Sequence, residues 1–178
     1  MHEIIFKNLK IQHLVKPSIK HSYISIDKEG KILLKTPKVS KFFINNLLEE
    51  RQGWIEKKLS ELKEKPPIYL TLENINSKDA QQKAIDRVEY FSNIMKLTYS
   101  NIKFRKMKRR WGSCDSKGVI TLNKKLMLTP QICIDYVIIH ELAHLKHLNH
   151  SKKFHALVEK YCDFSVEAKE MLSRVVFS

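Results

Sequence analysis

Apolar and polar positions alternate near the start of the chain and then change period. Ile4-Ile5-Phe6, the stretch from Ile19 to Ile26, and Lys31-Ile32-Leu33-Leu34-Lys35 are β-branched or alternating, so each predicts a short strand. Asp27-Lys28-Glu29-Gly30 supplies the turn between the last two. Ser40 is placed to cap a long helix running to about Lys65. Its apolar stripe is Phe43, Ile44, Leu47, Leu48, Trp54, Ile55, Leu59 and Leu62. At that spacing Trp54 is expected in the core rather than stacked on a ligand. Pro66-Pro67 ends the helix. The stretch from there to Asn76 separates an N-terminal module, residues 1–75, from residues 76–178, the two being expected to pack as one unit.

Helical spacing returns from Ser77 to about Leu97, with Ala84, Ile85, Val88, Phe91, Ile94 and Met95 facing inward. A strand over 102–107 is expected to continue into Arg109–Cys114. Asp115-Ser116-Lys117-Gly118 turns the chain back into Val119-Ile120-Thr121-Leu122. Thr129-Pro130 reads as a cap followed by proline at the first helical position. The helix it launches is apolar on all sides from Ile132 to Ile139, as a buried helix is. Ser151 starts a helix carrying Phe154, Leu157, Val158 and Tyr161, and Ser165 starts the last one. The fold class is α+β: a strand-rich module with a long helix, then helices around a small antiparallel sheet.

The buried helix ends in His140-Glu141-Leu142-Ala143-His144. Residues four apart on a helix project from nearly the same face, so His140 and His144 can place two ring nitrogens on one metal ion. Glu141 sits one step round, placed to hold and deprotonate a metal-bound water rather than to bind the metal. His-Glu-x-x-His arises by chance in roughly one chain in forty of this composition, so the pattern alone is suggestive. Its surroundings sharpen it, because five of the eight histidines fall between positions 140 and 155. His150 follows His140 by ten residues, the spacing of the third ligand in HExxHxxGxxH zinc proteases, with His147 in place of their glycine. An unbroken helix would favour His147 as third ligand. His150 is preferred because Ser151 looks like a new cap, and Asn149 can supply the left-handed residue that ends the helix. A buried helix that merely carries surface histidines would leave Glu141 without a purpose.

Composition adds three constraints. The 178 residues are 43% hydrophobic, enough for a core, and no run reaches the about 18 apolar residues that cross a membrane. Residues 1–14 are too polar for a secretory signal. Cys114, Cys133 and Cys162 are odd in number and have no paired spacing, so they read as free thiols in a cytoplasmic protein. Formal net charge is +14, and Lys103, Arg105, Lys106, Lys108, Arg109 and Arg110 form a basic run. No acid occurs between Glu89 and Asp115. A basic strand beside an active site draws in nucleic acid, nucleotides or acidic peptides, while lysines spread along the whole chain account for part of the total.

Four linked motifs carry a resemblance. Arg110-Trp111-Gly112-Ser113-Cys114, Gly118-Val119-Ile120-Thr121-Leu122-Asn123, His140-Glu141-Leu142-Ala143-His144 and Asn149-His150-Ser151-x-x-Phe154 resemble the YgjP-like family of predicted metal-dependent hydrolases. That family belongs to the broader zincin group with the SprT and WLM proteases. The N-terminal part fits as well, with Pro37 and Trp54-Ile55-x-Lys57-Lys58. The resemblance implies a zincin-like core, one zinc ion per chain on His140, His144 and His150, and Glu141 as general base. It also implies that Arg110, Trp111, Gly112 and Ser113 lie along the substrate cleft. His155 departs from the family, which often has an aromatic residue there.

Three functions follow. The first is a zinc metallopeptidase, in which three neutral imidazoles leave one coordination position for a water of pKa around 7. A peptide then adds as an extra strand along the cleft. The second keeps the metal and hydrolyses a nucleotide phosphoanhydride in a basic cleft. The third is a nucleic-acid-binding protein with a structural metal, against which the intact Glu141 speaks. Tyr136, Arg110 and His155 are candidates for stabilising the oxyanion, and Asp135 or Asp163 for orienting a ligand histidine. Neither substrate nor oligomeric state is legible.

Overall fold

Alternation in the first forty residues becomes a four-stranded sheet in the structure, a computed structural model that describes residues 2–73 and 77–177. The chain divides into two compact units, Met1–Pro67 and Ile68–Ser178. The module boundary expected at 75/76 lies outside the described residues.

In the first unit, β1 (His2–Phe6) pairs antiparallel with β2 (Leu9–Val15), and β2 pairs parallel with β4 (Ile32–Thr36). β3 (Tyr23–Ile26) closes the order β1-β2-β4-β3. The turn before β4 forms as expected: the Asp27 carboxylate accepts from the Glu29 and Lys31 amides, and Gly30 takes φ +81°. β2 was not among the expected strands. Its inward positions include His13, which reads as polar but is buried, 2.8 Å from Thr36 Oγ1 and 3.0 Å from the His2 ring.

Helix α1 (Lys41–Glu64) begins where Ser40 Oγ accepts from the Phe43 amide. Ile44, Leu48 and Ile55 bury against Phe6, Ile11, Ile32 and Leu34. The spacing of those three sets the inward face, and Trp54 lies a third of a turn off it. Trp54 is 45% exposed and Phe43 46%, so neither belongs to the core as expected.

The second unit is built round one buried helix. β5 (Ile68–Leu70) pairs parallel with β9 (Val175–Phe177), two strands too short to show a period. α2 (Lys78–Met95) is capped by Ser77 and buries Ala84, Val88, Phe91 and Met95, while Ile94 is exposed. It stops at Lys96, which takes φ +54°. The second sheet has β6 (Asn101–Arg105), β7 (Gly112–Cys114) and β8 (Val119–Asn123) in the order β6-β8-β7.

The expected single strand from 102 to 114 is therefore two. β6 runs parallel to β8 on one side, and β7 runs antiparallel to it on the other, as an edge. Asn123, 3% exposed, explains the break. Its amide nitrogen donates to the Met107 carbonyl at 2.9 Å and the Arg110 carbonyl at 2.7 Å. Its own backbone amide donates to the Trp111 carbonyl at 2.8 Å. The chain between β6 and β7 thus wraps the end of β8 instead of extending.

A 3-10 turn (Lys124–Leu128) leads into α3 (Gln131–His144), followed by α4 (Lys152–Tyr161) and α5 (Ser165–Arg174). Pro130 is the residue before α3 rather than its first, and the Thr129 hydroxyl is spent on the Leu126 carbonyl at 2.7 Å. Nine of the fourteen residues of α3 are buried, so it is the core of this unit rather than a surface helix. Arg87 of α2 grips its Asp135 with two bonds of 2.8 Å, and Gln131 adds a third. The fold class is α+β, but the three-stranded sheet of this unit is mixed rather than antiparallel as expected, because β6 enters parallel to β8. Among the described residues no helix is long and apolar enough to cross a membrane.

Candidate functional site

α3 delivers His140, Glu141 and His144 at its C-terminal end. The helix ends there because the amides of Leu145, Lys146 and His147 fold back onto the carbonyls of Leu142 and Ala143. Asn149 does not supply a left-handed residue as expected: among the described residues, Lys7 and Lys96 are the non-glycine residues with positive φ. Leu148 and Asn149 carry the chain to His150. Ser151 Oγ then accepts from the Phe154 amide and starts α4.

These turns bring three imidazoles together. One ring nitrogen from each of His140, His144 and His150 lies within 4.8 Å of the other two. His140 Nε2 and His150 Nε2 are 3.1 Å apart. Among the described residues this is the one group of three or more His, Cys, Asp or Glu with that closeness. The Phe154 ring, fully buried, packs against all three at centroid distances of 4.9, 4.5 and 4.8 Å. It is a platform under the cluster, and its role was not legible beyond the motif that contains it.

Two of the three histidines have a partner near the outer nitrogen, as metal-binding histidines usually do. His144 Nδ1–H donates to the His147 carbonyl at 3.1 Å, and His140 Nδ1 lies 3.5 Å from the Tyr136 hydroxyl. His147 therefore contributes a backbone oxygen and its ring stays outside the cluster. Asp135, tied to Arg87, and exposed Asp163 orient no ligand histidine. His155 is exposed and stacks on His150 at 6.2 Å.

A metal ion fits this donor set. Zinc–imidazole bonds of about 2.0–2.1 Å in tetrahedral geometry put ligand nitrogens about 3.3 Å apart, close to the 3.1 Å between His140 Nε2 and His150 Nε2. Burial, followed by the charges of His144 and His150, pushes His140 down to about 4, and burial lowers His144. His140 is neutral at pH 7 and has a lone pair to give, and burial favours the neutral form of His144 as well. Cys114, in the same cleft, is pushed up to about 11 by burial and by Glu141, so it remains a thiol. All three cysteines are free.

A cleft of about 560 Å³ opens over the cluster, lined by Arg109, Arg110 and Trp111, by Gly112, Ser113 and Cys114 of β7, and by Tyr136. All four residues expected along the cleft are on its wall. Trp111 is half-buried with its ring 5.8 Å from Phe177, and it also borders the cleft. Glu141 is 5% exposed, and its carboxyl lies flat against Gly112. A Cβ on Gly112 would meet Glu141 Oε1 at 2.5 Å and its Cγ at 2.7 Å. Glycine is required there by a close approach, since no side chain fits beside that carboxylate. Gly112→Ala is expected to keep the fold and metal affinity but to displace the Glu141 carboxyl, lowering any turnover that depends on that group about a hundredfold. Kinetics beside a metal titration of the variant checks this.

Burial raises Glu141 to about 8, and the Arg110 charge opposes that rise. In the metal-free protein the folded state therefore holds a proton between pH 4.5 and 8 that the unfolded state releases. Stability from this group is lost as pH rises through that window, by on the order of 4 kcal/mol in full. His140 acts in the opposite sense, losing stability as pH falls below 6.5. Glu141→Gln removes only the first effect. Chelated Glu141→Gln is expected to be more stable than the wild type at pH 8.5, with the gap closing by pH 5. Urea unfolding midpoints at both pH values measure it.

Residues 67–175 match the family described as YgjP-like, metallopeptidase domain. No curated protein matches the chain. Similar solved structures include the metallopeptidase zymogen abylysin of Pyrococcus abyssi, 27% identical over 50% of this chain and 90% of that one, with a TM-score of 0.46. The metallopeptidase zymogen jannalysin of Methanocaldococcus jannaschii is 25% identical over 50% of this chain and 92% of that one, with a TM-score of 0.45. The matched region takes in the cleft, the imidazole cluster and Glu141, and spans more than half of the sequence: the chain belongs to the YgjP-like family, with a metallopeptidase domain over residues 67–175.

Proposed function

We propose that the cleft is the catalytic centre of a zincin-like zinc metallopeptidase, with one zinc ion per chain on His140, His144 and His150 and Glu141 as general base. The observation that carries this is three imidazoles converging, with no fourth His, Cys, Asp or Glu in the group among the described residues, beside a buried carboxylate one residue after the first of them. A purely structural zinc site is normally closed by four protein ligands and has no use for that carboxylate.

When bound, zinc supplies a Lewis acid for the scissile carbonyl and acidifies water in its open position. The rest belongs to this chain. Glu141 takes the proton from the attacking water on a carboxylate oxygen and passes it to the leaving amine. Gly112 lets that carboxylate lie against β7, and Arg110 favours its charged form. β7 is an edge strand, so its outer backbone groups can pair with an extended peptide and hold the scissile bond along the cleft. Tyr136, 8% exposed and on the cleft wall, steadies His140 and is the candidate nearest the cluster for the oxyanion.

Arg109 and Arg110 on the same wall favour a second reading, hydrolysis of a nucleotide phosphoanhydride. Product analysis of the zinc-loaded protein on a mixed panel of peptides and nucleoside triphosphates separates the two. Peptide cleavage lost with chelator and restored by zinc is the expected result. Nucleotide turnover with every peptide intact would transfer the site to the second reading.

A further inference from the structure

Resting on the peptidase reading and deepening it, we infer that the cleft selects peptides with an acidic side chain close to the scissile bond, held by Arg109 and Arg110 on a loop that Asn123 fixes. Among the residues lining the cleft the two arginines are the Lys and Arg side chains, and Glu141 is the one acid. Glu141 is buried, and although the Arg110 charge reaches it, it forms no salt bridge with either arginine among the described residues. Neither arginine forms a salt bridge among the described residues. Lys106 and Lys108 beside them are equally unpaired, and the acid-free stretch runs from Tyr90 to Cys114.

A charge run that serves only solvation needs no anchoring, and this one is anchored. Asn123 fixes the loop through the Met107 carbonyl at 2.9 Å, the Arg110 carbonyl at 2.7 Å and the Trp111 carbonyl at 2.8 Å. Its side-chain oxygen also accepts from the Met107 amide at 3.3 Å. Trp111 then packs on Phe177, whose ring also carries the Lys125 ammonium 4.3 Å from its centroid. A fixed backbone removes the cost of ordering the loop on binding, and the planar guanidinium fork matches a carboxylate. Lysine or arginine in the substrate would meet like charge at the same place. Asn123 was quoted in a sequence motif, but nothing in the sequence tied it to residues sixteen positions earlier.

The test uses the full-length zinc-loaded protein and quenched fluorescent peptides that differ only in carrying Glu, Gln or Lys on either side of the cleaved bond. The expected kcat/KM is about tenfold or more higher for the Glu peptide than for Gln, mostly through KM, and lowest for Lys. The Glu advantage shrinks between low and high salt because the arginines are at the surface. Arg109→Glu is expected to invert the Glu-to-Lys ratio, a within-variant comparison that survives a general loss of rate. Equal cleavage of the three peptides, a preference indifferent to salt, or an unchanged ratio in Arg109→Glu overturns the inference while leaving the peptidase reading standing. Failure to cleave any peptide overturns both.

Discussion

Glu141→Gln is expected to abolish peptide hydrolysis by about 10²–10⁴-fold, the span typical of a lost general base. Fold and metal content are expected to persist. Glutamine matches the carboxylate in shape, so the close approach to Gly112 survives. It removes the one group that can accept a proton at that position, since Cys114 is held as a thiol by the same burial. The ligand nitrogens lie on other residues, so zinc should remain at one equivalent. The loss should fall on kcat rather than KM, because a neutral amide leaves β7 and the arginines free to bind substrate. Wild-type kcat in this variant, with zinc bound, would remove the general-base role.

The second large effect separates His150 from His147. His150→Ala is expected to weaken zinc binding by more than about a hundredfold, beyond the range of outer-shell changes. His147→Ala is expected to stay within a few fold, because its contribution is the backbone carbonyl that accepts from His144 at 3.1 Å, which alanine also has. Competition against a chelator of known affinity gives both values. The reverse order would make His147 the third ligand and demand that the turn after α3 rearrange.

The proposed ligand set could be named from the sequence because its members are local. His140, Glu141 and His144 share one helix, and a capping serine beside His150 announces the turn that returns the chain. The strand expected from 102 to 114 failed for a tertiary reason: a buried asparagine on β8 captures carbonyls of a loop thirteen and sixteen residues earlier. Hydrophobic period carries no trace of such a side-chain bond. β2 was hidden by a histidine that is buried and bonded, the kind of position a polar-versus-apolar reading inverts. Trp54 failed differently, since its spacing admits two faces and only the packing of Ile44, Leu48 and Ile55 chooses between them. The Phe154 platform and the Gly112 approach are contacts between different elements, so their residues could be quoted but their roles could not be read.

X-ray absorption at the zinc edge, on protein loaded with one equivalent at pH 7.5, tests the metal centre most directly. Three imidazole nitrogens at about 2.0 Å with one further light-atom scatterer, reduced to two imidazoles in His150→Ala, is the expected spectrum. A sulfur shell at about 2.3 Å, or an imidazole count unchanged by removal of His150, would contradict the site on which the hydrolase depends.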